Sequence, residues 1–114
     1  MRGWTVQDSL ELYSVPSWGA GFFTINQAGH VAVRPRGDGG HEIDLLELVQ
    51  DLERRGLRKP MLIRFSDILA ARVEGIARGF EKAMADYGHK GLYRGVYPIK
   101  VDQQGHVVEE IVTQ

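Results

Sequence analysis

Apolar positions in the first forty residues follow two patterns. Residues 1–18 show weak periodicity: Leu10, Leu12, Tyr13 and Val15 stand before Pro16, and Ser17-Trp18-Gly19 turns the chain. They read as a short helix or an irregular lead-in. From Gly21 two β-prone runs appear, Phe22-Phe23-Thr24-Ile25 and His30-Val31-Ala32-Val33-Arg34, around the polar, Gly-bearing loop Asn26-Gln27-Ala28-Gly29. That arrangement predicts a hairpin. Pro35-Arg36-Gly37-Asp38-Gly39-Gly40 is too rich in glycine for regular structure and separates strand from helix.

Beyond that loop the period changes. Asp44 with Glu47 three residues on resembles a capping box, and Leu45, Leu48, Val49 and Leu52 recur at helical spacing, which predicts a helix over 44–55 closed by Gly56. The apolar run Pro60–Phe65 reads as a buried strand. Ser66 or Asp67 then caps a second helix carrying Leu69, Val73, Ile76, Phe80, Met84 and Tyr87, ended by Gly88. Gly75 and Gly79 inside it each cost about 1 kcal/mol relative to Ala, so this helix needs tertiary packing. Leu92–Val101 reads as another strand, Pro98 arguing against full pairing near its end, and Val107, Val108, Ile111 and Val112 mark a final helix. Hairpin, helix, strand, helix, strand, helix predicts an α/β fold with a parallel sheet and its sites at the carboxyl ends of strands.

Composition narrows the function more than the fold. A chain of 114 residues is one domain in length, and 43% apolar with 25% charged residues is ordinary globular usage. A net charge of −1 gives no attraction to phosphate backbones, which argues against nucleic-acid binding. The absence of cysteine excludes disulfides, thiolate metal sites and a cysteine nucleophile. No run resembles a signal-peptide core or spans a membrane, so no membrane partner and a cytoplasmic location are expected. Glycine, 14 of 114 residues, is in excess and points to many tight reversals.

Few residues suggest chemistry unaided. His30, His41, His89 and His106 lack the i, i+4 spacing of a helical metal pair, so no metal site is expected from them. Neither phosphate-binding glycine motif is present; Gly37, Gly39 and Gly40 beside Arg34 and Arg36 read as a turn rather than an anion cradle. Ser14, Ser17 and Ser66 have no nucleophile-elbow context, and Glu109-Glu110 reads as solvated. Lys100 differs: it stands where a mostly apolar strand is expected to end, and a lysine partly desolvated there is a candidate carbonyl nucleophile, set against the solvated cation that most strand-end lysines are.

The segment Tyr97-Pro98-Ile99-Lys100-Val101, continuing Asp102-Gln103-Gln104 and His106-Val107-Val108-Glu109-Glu110-Ile111-Val112, resembles the surroundings of the cofactor lysine in the biosynthetic arginine decarboxylases. Trp18-Gly19-Ala20-Gly21-Phe22-Phe23, Gly29-His30-Val31, Ile43–Val49 and Arg64-Phe65-Ser66-Asp67-Ile68-Leu69 resemble that family's amino-terminal region in the same order. The resemblance covers residues 12–112. It implies a pyridoxal-phosphate carboxy-lyase with an alanine-racemase-like barrel, turning arginine into agmatine for polyamine and spermidine synthesis, with magnesium as a further requirement and a homo-oligomeric assembly. Lys100 matches the lysine that carries the cofactor, and is therefore both the catalytic and the cofactor-binding residue expected.

On this resemblance residues 1–40 are a lead-in and β-hairpin segment, and residues 41–114 the start of a pyridoxal-phosphate-binding α/β barrel. Two residues depart from the family pattern: Asp102 stands where Asn is usual and Gly105 where a basic residue is common, making the charge beside Lys100 more negative. The family's enzymes are several times longer. A TIM-type barrel needs eight strands and roughly 200 residues, and its phosphate-binding glycines, the acid facing the cofactor ring and the carboxyl-terminal β domain have no counterpart here. The expected reading is an amino-terminal part of the decarboxylase, inactive as an isolated chain. The alternatives are a noncatalytic interaction module or a nonfunctional remnant of that enzyme.

Overall fold

Thr5 sets the first ordered turn. In the structure, a computed structural model that describes residues 1–37 and 39–114, its hydroxyl accepts the Asp8 N–H while the Asp8 carboxylate accepts the Thr5 N–H at 2.7 Å, a reciprocal box that opens helix α1, Val6–Leu12. A second short helix, α2, Val15–Gly19, has Pro16 in its first turn, where a missing N–H leaves no intrahelical bond unmade. Pro16 therefore begins a helix where the sequence pattern had it ending one. The reversal expected at 17–19 comes instead at Ala20 and Gly21, both at positive φ.

Gly19 is placed by contact rather than by turn geometry. It is buried against β1, Phe23–Ile25, and a Cβ there would sit 3.1 Å from the Phe23 Cβ. Trp18 lies beside the same residue, ring centroids 5.4 Å apart, with its indole N–H on the Tyr13 carbonyl at 2.9 Å.

β1 pairs antiparallel with β2, Val31–Val33, in the register Phe23↔Val33, Thr24↔Ala32 and Ile25↔Val31, as the hairpin reading expects. Their loop is a turn closed by the Gly29 N–H on the Asn26 carbonyl (3.0 Å), with Gly29 at φ 83, a position that L side chains seldom adopt. A short third strand, β3, Ile43–Asp44, adds antiparallel to β2 and was absent from the sequence reading. β2 is thus central, and its Ala32 and Val33 are fully buried. With Val15 they form the core of the unit Met1–Arg64. Asp38, in the glycine-rich loop, lies outside the described residues.

Helix α3, Leu45–Arg54, matches its expected span. Its end closes by the Leu57 N–H on the Leu52 carbonyl and the Gly56 N–H on the Glu53 carbonyl, a double closure that requires the left-handed residue Gly56 supplies. The Pro60–Phe65 run is not the buried strand expected: it carries no ladder, and Leu62 is 76% exposed. A strand needs a neighbour to accept its backbone bonds, and among the described residues the only sheet is β1–β2–β3.

The second unit, Phe65–Gln114, holds α4, Ser66–Asp86, and α5, Gly105–Thr113, which pack together with Val107 buried. Neither Ser66 nor Asp67 is the N-cap; Phe65 occupies that position, and Ser66 is the first helical residue with no capping bond. The far end closes as on α3, His89 and Gly88 donating to the Met84 and Ala85 carbonyls. Residues 92–98 carry no regular structure and 99–101 form a 3₁₀ turn, so the strand expected at 92–101 is absent, and with it the parallel sheet. The fold class is mixed helix and strand with a small antiparallel sheet.

Replacing Gly19 tests the α2–β1 contact. Gly19→Ala is expected to destabilise the chain by about 1–3 kcal/mol, the usual cost of forcing an atom into a packed site, read by urea unfolding followed through Trp18 fluorescence. An unchanged midpoint would show that the helix yields freely.

Candidate functional site

A dense polar arrangement is centred on Asp44, at the junction of β3 and α3. One oxygen, Oδ1, accepts the N–H groups of Leu46 and Glu47 at 2.9 and 3.1 Å and so caps α3. The other, Oδ2, accepts from the Asn26 side-chain amide at 2.7 Å and faces His30 Nδ1 at 2.8 Å. Because an ionised carboxylate only accepts, Nδ1 is the ring nitrogen that carries the proton. Asn26 in turn uses its Oδ1 to hold the backbone N–H groups of Ala28 and His30, each at 3.0 Å. The hairpin loop and the start of α3 are therefore joined through a single carboxylate whose side chain is only 14% exposed.

Burial pushes the Asp44 carboxyl upward, but the Glu47 N–H, His30 and Asn26 outweigh it and hold it at about 2. Asp8 is held at about 2 as well, by the Arg2 guanidinium first and by Thr5. Beside Asp44 opens a cleft of about 620 Å³ whose charged walls are Arg34, Glu42, Asp44 and Glu47. Arg34 bonds Glu42 across it at 3.1 Å. Among the described residues no group of three His, Cys, Asp or Glu side chains is placed to hold a metal ion.

Lys100 sits in the 3₁₀ turn Ile99–Val101, closed by the Val101 N–H on the Pro98 carbonyl at 3.0 Å. Its side chain is exposed, a correction to the partly desolvated strand-end lysine of the sequence reading. Pro98 is the local reason: it has no N–H to give a ladder, and the chain tightens after it into a turn. Around this turn the Tyr97 hydroxyl donates to the Asp102 carbonyl, and the Asp102 carboxylate accepts the Gln104 N–H, both at 3.0 Å, leading the chain into α5. Asp102 thus serves the backbone ahead of the helix.

The remaining sequence candidates carry local structure. His41, His89 and His106 are exposed. The glycine loop bonds itself, Gly37 to the Arg34 carbonyl and Gly40 to that of Gly37, as a turn does. Glu110 accepts from the Gln114 side chain at 2.9 Å, and Glu109 is exposed. Sequence reasoning missed the meeting of Asn26, His30 and Asp44. Its one legible sign was Asn at the first position of a turn with Gly at the fourth, where the Asn side chain habitually bonds the backbone two residues on.

No family model matches the chain. Curated relatives do. The biosynthetic arginine decarboxylase of Gloeobacter violaceus is 57% identical over 112 residues, 98% of this chain and 17% of that protein. That of Parasynechococcus marenigrum is 51% identical over 111 residues, 97% of this chain and 17% of its own. Biosynthetic arginine decarboxylase 2 of Synechocystis is 50% identical over 109 residues, 96% and 16%. The chain spans about one sixth of the length of the curated relatives it matches. No helix among the described residues is long and apolar enough to cross a membrane.

The lowered Asp44 and Asp8 carboxyls set the direction of acid sensitivity. A carboxyl at about 2 in the folded chain and 3.8 ordinarily binds more protons unfolded than folded between those values. The stability it contributes is complete above about pH 4 and drains away as pH falls through about 2. Thermal unfolding from pH 6 to 2 is expected to show that loss, and Asp44→Asn to flatten part of it; an identical pH profile in the variant would remove Asp44 from the account.

Proposed function

Because this chain corresponds over nearly all of its length to an amino-terminal portion of the biosynthetic arginine decarboxylases, we propose that it supplies the cofactor lysine, Lys100, of a pyridoxal-phosphate enzyme that converts arginine to agmatine. Identity of 50–57% across 96–98% of the chain carries this reading. On this reading residues 41–114 are the start of the α/β barrel and residues 1–40 its lead-in.

The residues present suit the cofactor in one respect. A primary amine that condenses with a carbonyl must be open to it, and the Lys100 side chain is exposed on a backbone turn held from both sides by Tyr97 and Asp102. When bound, pyridoxal phosphate supplies an electron sink for the pair left on the α-carbon as carbon dioxide departs. Lys100 holds the group, and the turn orients its arm. Asp102 departs from the family's usual Asn yet makes a backbone bond that the carbonyl oxygen of Asn also makes, so the turn survives the difference. Magnesium, implied by the same resemblance, meets no three-ligand group among the described residues.

Pyridoxal phosphate followed by borohydride and peptide mapping is expected to mark Lys100 several-fold more than Lys59, Lys82 or Lys90, with the mark lost in Lys100→Ala. Lys59 and Lys82 are engaged by Glu53 and Asp86, so Lys90 is the stricter control. Equal marking of all four would overturn the assignment. The isolated chain is expected to release no carbon dioxide from arginine.

A further inference from the structure

Residues 89–101, which lead to Lys100, are cationic: they contain Lys90, Arg94 and Lys100 and no acid. On α4 cations pair within the helix, Arg78 with Glu74 and Lys82 with Asp86. Arg94 is exposed and has no ion-pair partner among the described residues. The backbone that carries it is fastened through its neighbours. Tyr93, one residue before, stacks on Phe80 of α4 with ring centroids 4.9 Å apart, and the Tyr93 hydroxyl lies over Gly95, one residue after, where a Cβ would stand 3.1 Å from it. Lys100, six residues on, stands on the turn that the Tyr97 hydroxyl braces at the Asp102 carbonyl. The stretch therefore presents two exposed cations on fastened backbone, one a primary amine and the other a guanidinium.

An aldehyde that condenses with Lys100 uses the amine and leaves the guanidinium for an anion. Neither phosphate-binding glycine motif is present in the chain, so what the chain offers a phosphate is a side chain. A planar guanidinium gives two parallel N–H donors to two phosphate oxygens, whereas Lys90 gives only a point charge. Six residues span at most about 20 Å even when fully extended, a gap that two long side chains close with a molecule of the cofactor's size between them. Resting on the reading above, we propose that Arg94 is a cofactor-binding residue, whose guanidinium holds the phosphate of pyridoxal phosphate while Lys100 condenses with the aldehyde. The contact lies at the surface, so it has the strength of an exposed charge pair and weakens as salt is added.

The full 114-residue chain is to be treated with pyridoxal phosphate and, separately, with pyridoxal, which has the same aldehyde and no phosphate. In both, a lysine amine adds to the aldehyde with loss of water and borohydride reduces the carbon–nitrogen double bond that results, so peptide mapping counts the marked lysines. Pyridoxal phosphate is expected to favour Lys100 over Lys90 by about threefold, and pyridoxal to favour neither. Arg94→Gln is expected to bring the phosphate reagent down to the pyridoxal ratio, Arg94→Lys to keep part of the preference, and added salt to lower it in the parent chain, with the circular-dichroism spectrum unchanged throughout. A preference for Lys100 that pyridoxal shares, or that survives Arg94→Gln, overturns the proposal and leaves the cofactor lysine standing. A preference lost in Lys90→Gln, scored against Lys59, gives the phosphate to Lys90 and overturns it likewise. Equal marking of the lysines by both reagents in the parent chain overturns the proposal and the cofactor role of Lys100 together.

Discussion

One carboxylate organises the amino-terminal unit. Asp44 closes the start of α3 with one oxygen and ties down Asn26 and His30 of the hairpin loop with the other. Neither partner is near it in sequence, so the helix is placed against the sheet by a polar junction as well as by packing on β2. Few large side chains in this unit are fully covered; a hydrogen-bonded junction fixes orientation where a thin core leaves it loose. Gly19 belongs to the same logic, since it lets α2 reach β1 so closely that a Cβ there would stand 3.1 Å from that of Phe23.

What could be read from the sequence depended on how local its cause was. The bounds of α3 and the end of α4 follow from rules that act within a few residues: a carboxylate before the first turn, a glycine after the last, apolar positions three and four apart. The hairpin register follows from two β-prone runs joined by Asn-Gln-Ala-Gly. β3 was illegible because Ile43 and Asp44 pair with β2 across a glycine-rich loop, and two residues carry no period. The apolar runs 60–65 and 92–101 were misread for the opposite reason. Composition reports an affinity for a sheet, and pairing requires a partner strand that composition does not contain.

The candidate site divides along the same line. Lys100 was singled out through its neighbours in sequence, Tyr97-Pro98-Ile99 before it and Val101 after it; its exposure was not legible, since burial depends on what else packs there. Asn26 and His30 were visible as turn and strand residues, and their convergence on Asp44 depends on a fold that brings positions 14 and 18 residues apart together.

The bond from the Tyr97 hydroxyl to the Asp102 carbonyl has a mechanical meaning for the lysine between them. It cross-braces the loop across its base, so the Lys100 α-carbon stands on backbone fastened on either side of it, with the exposed side chain beyond. The base of such a tether fixes where it begins, and its length fixes the arc that it sweeps.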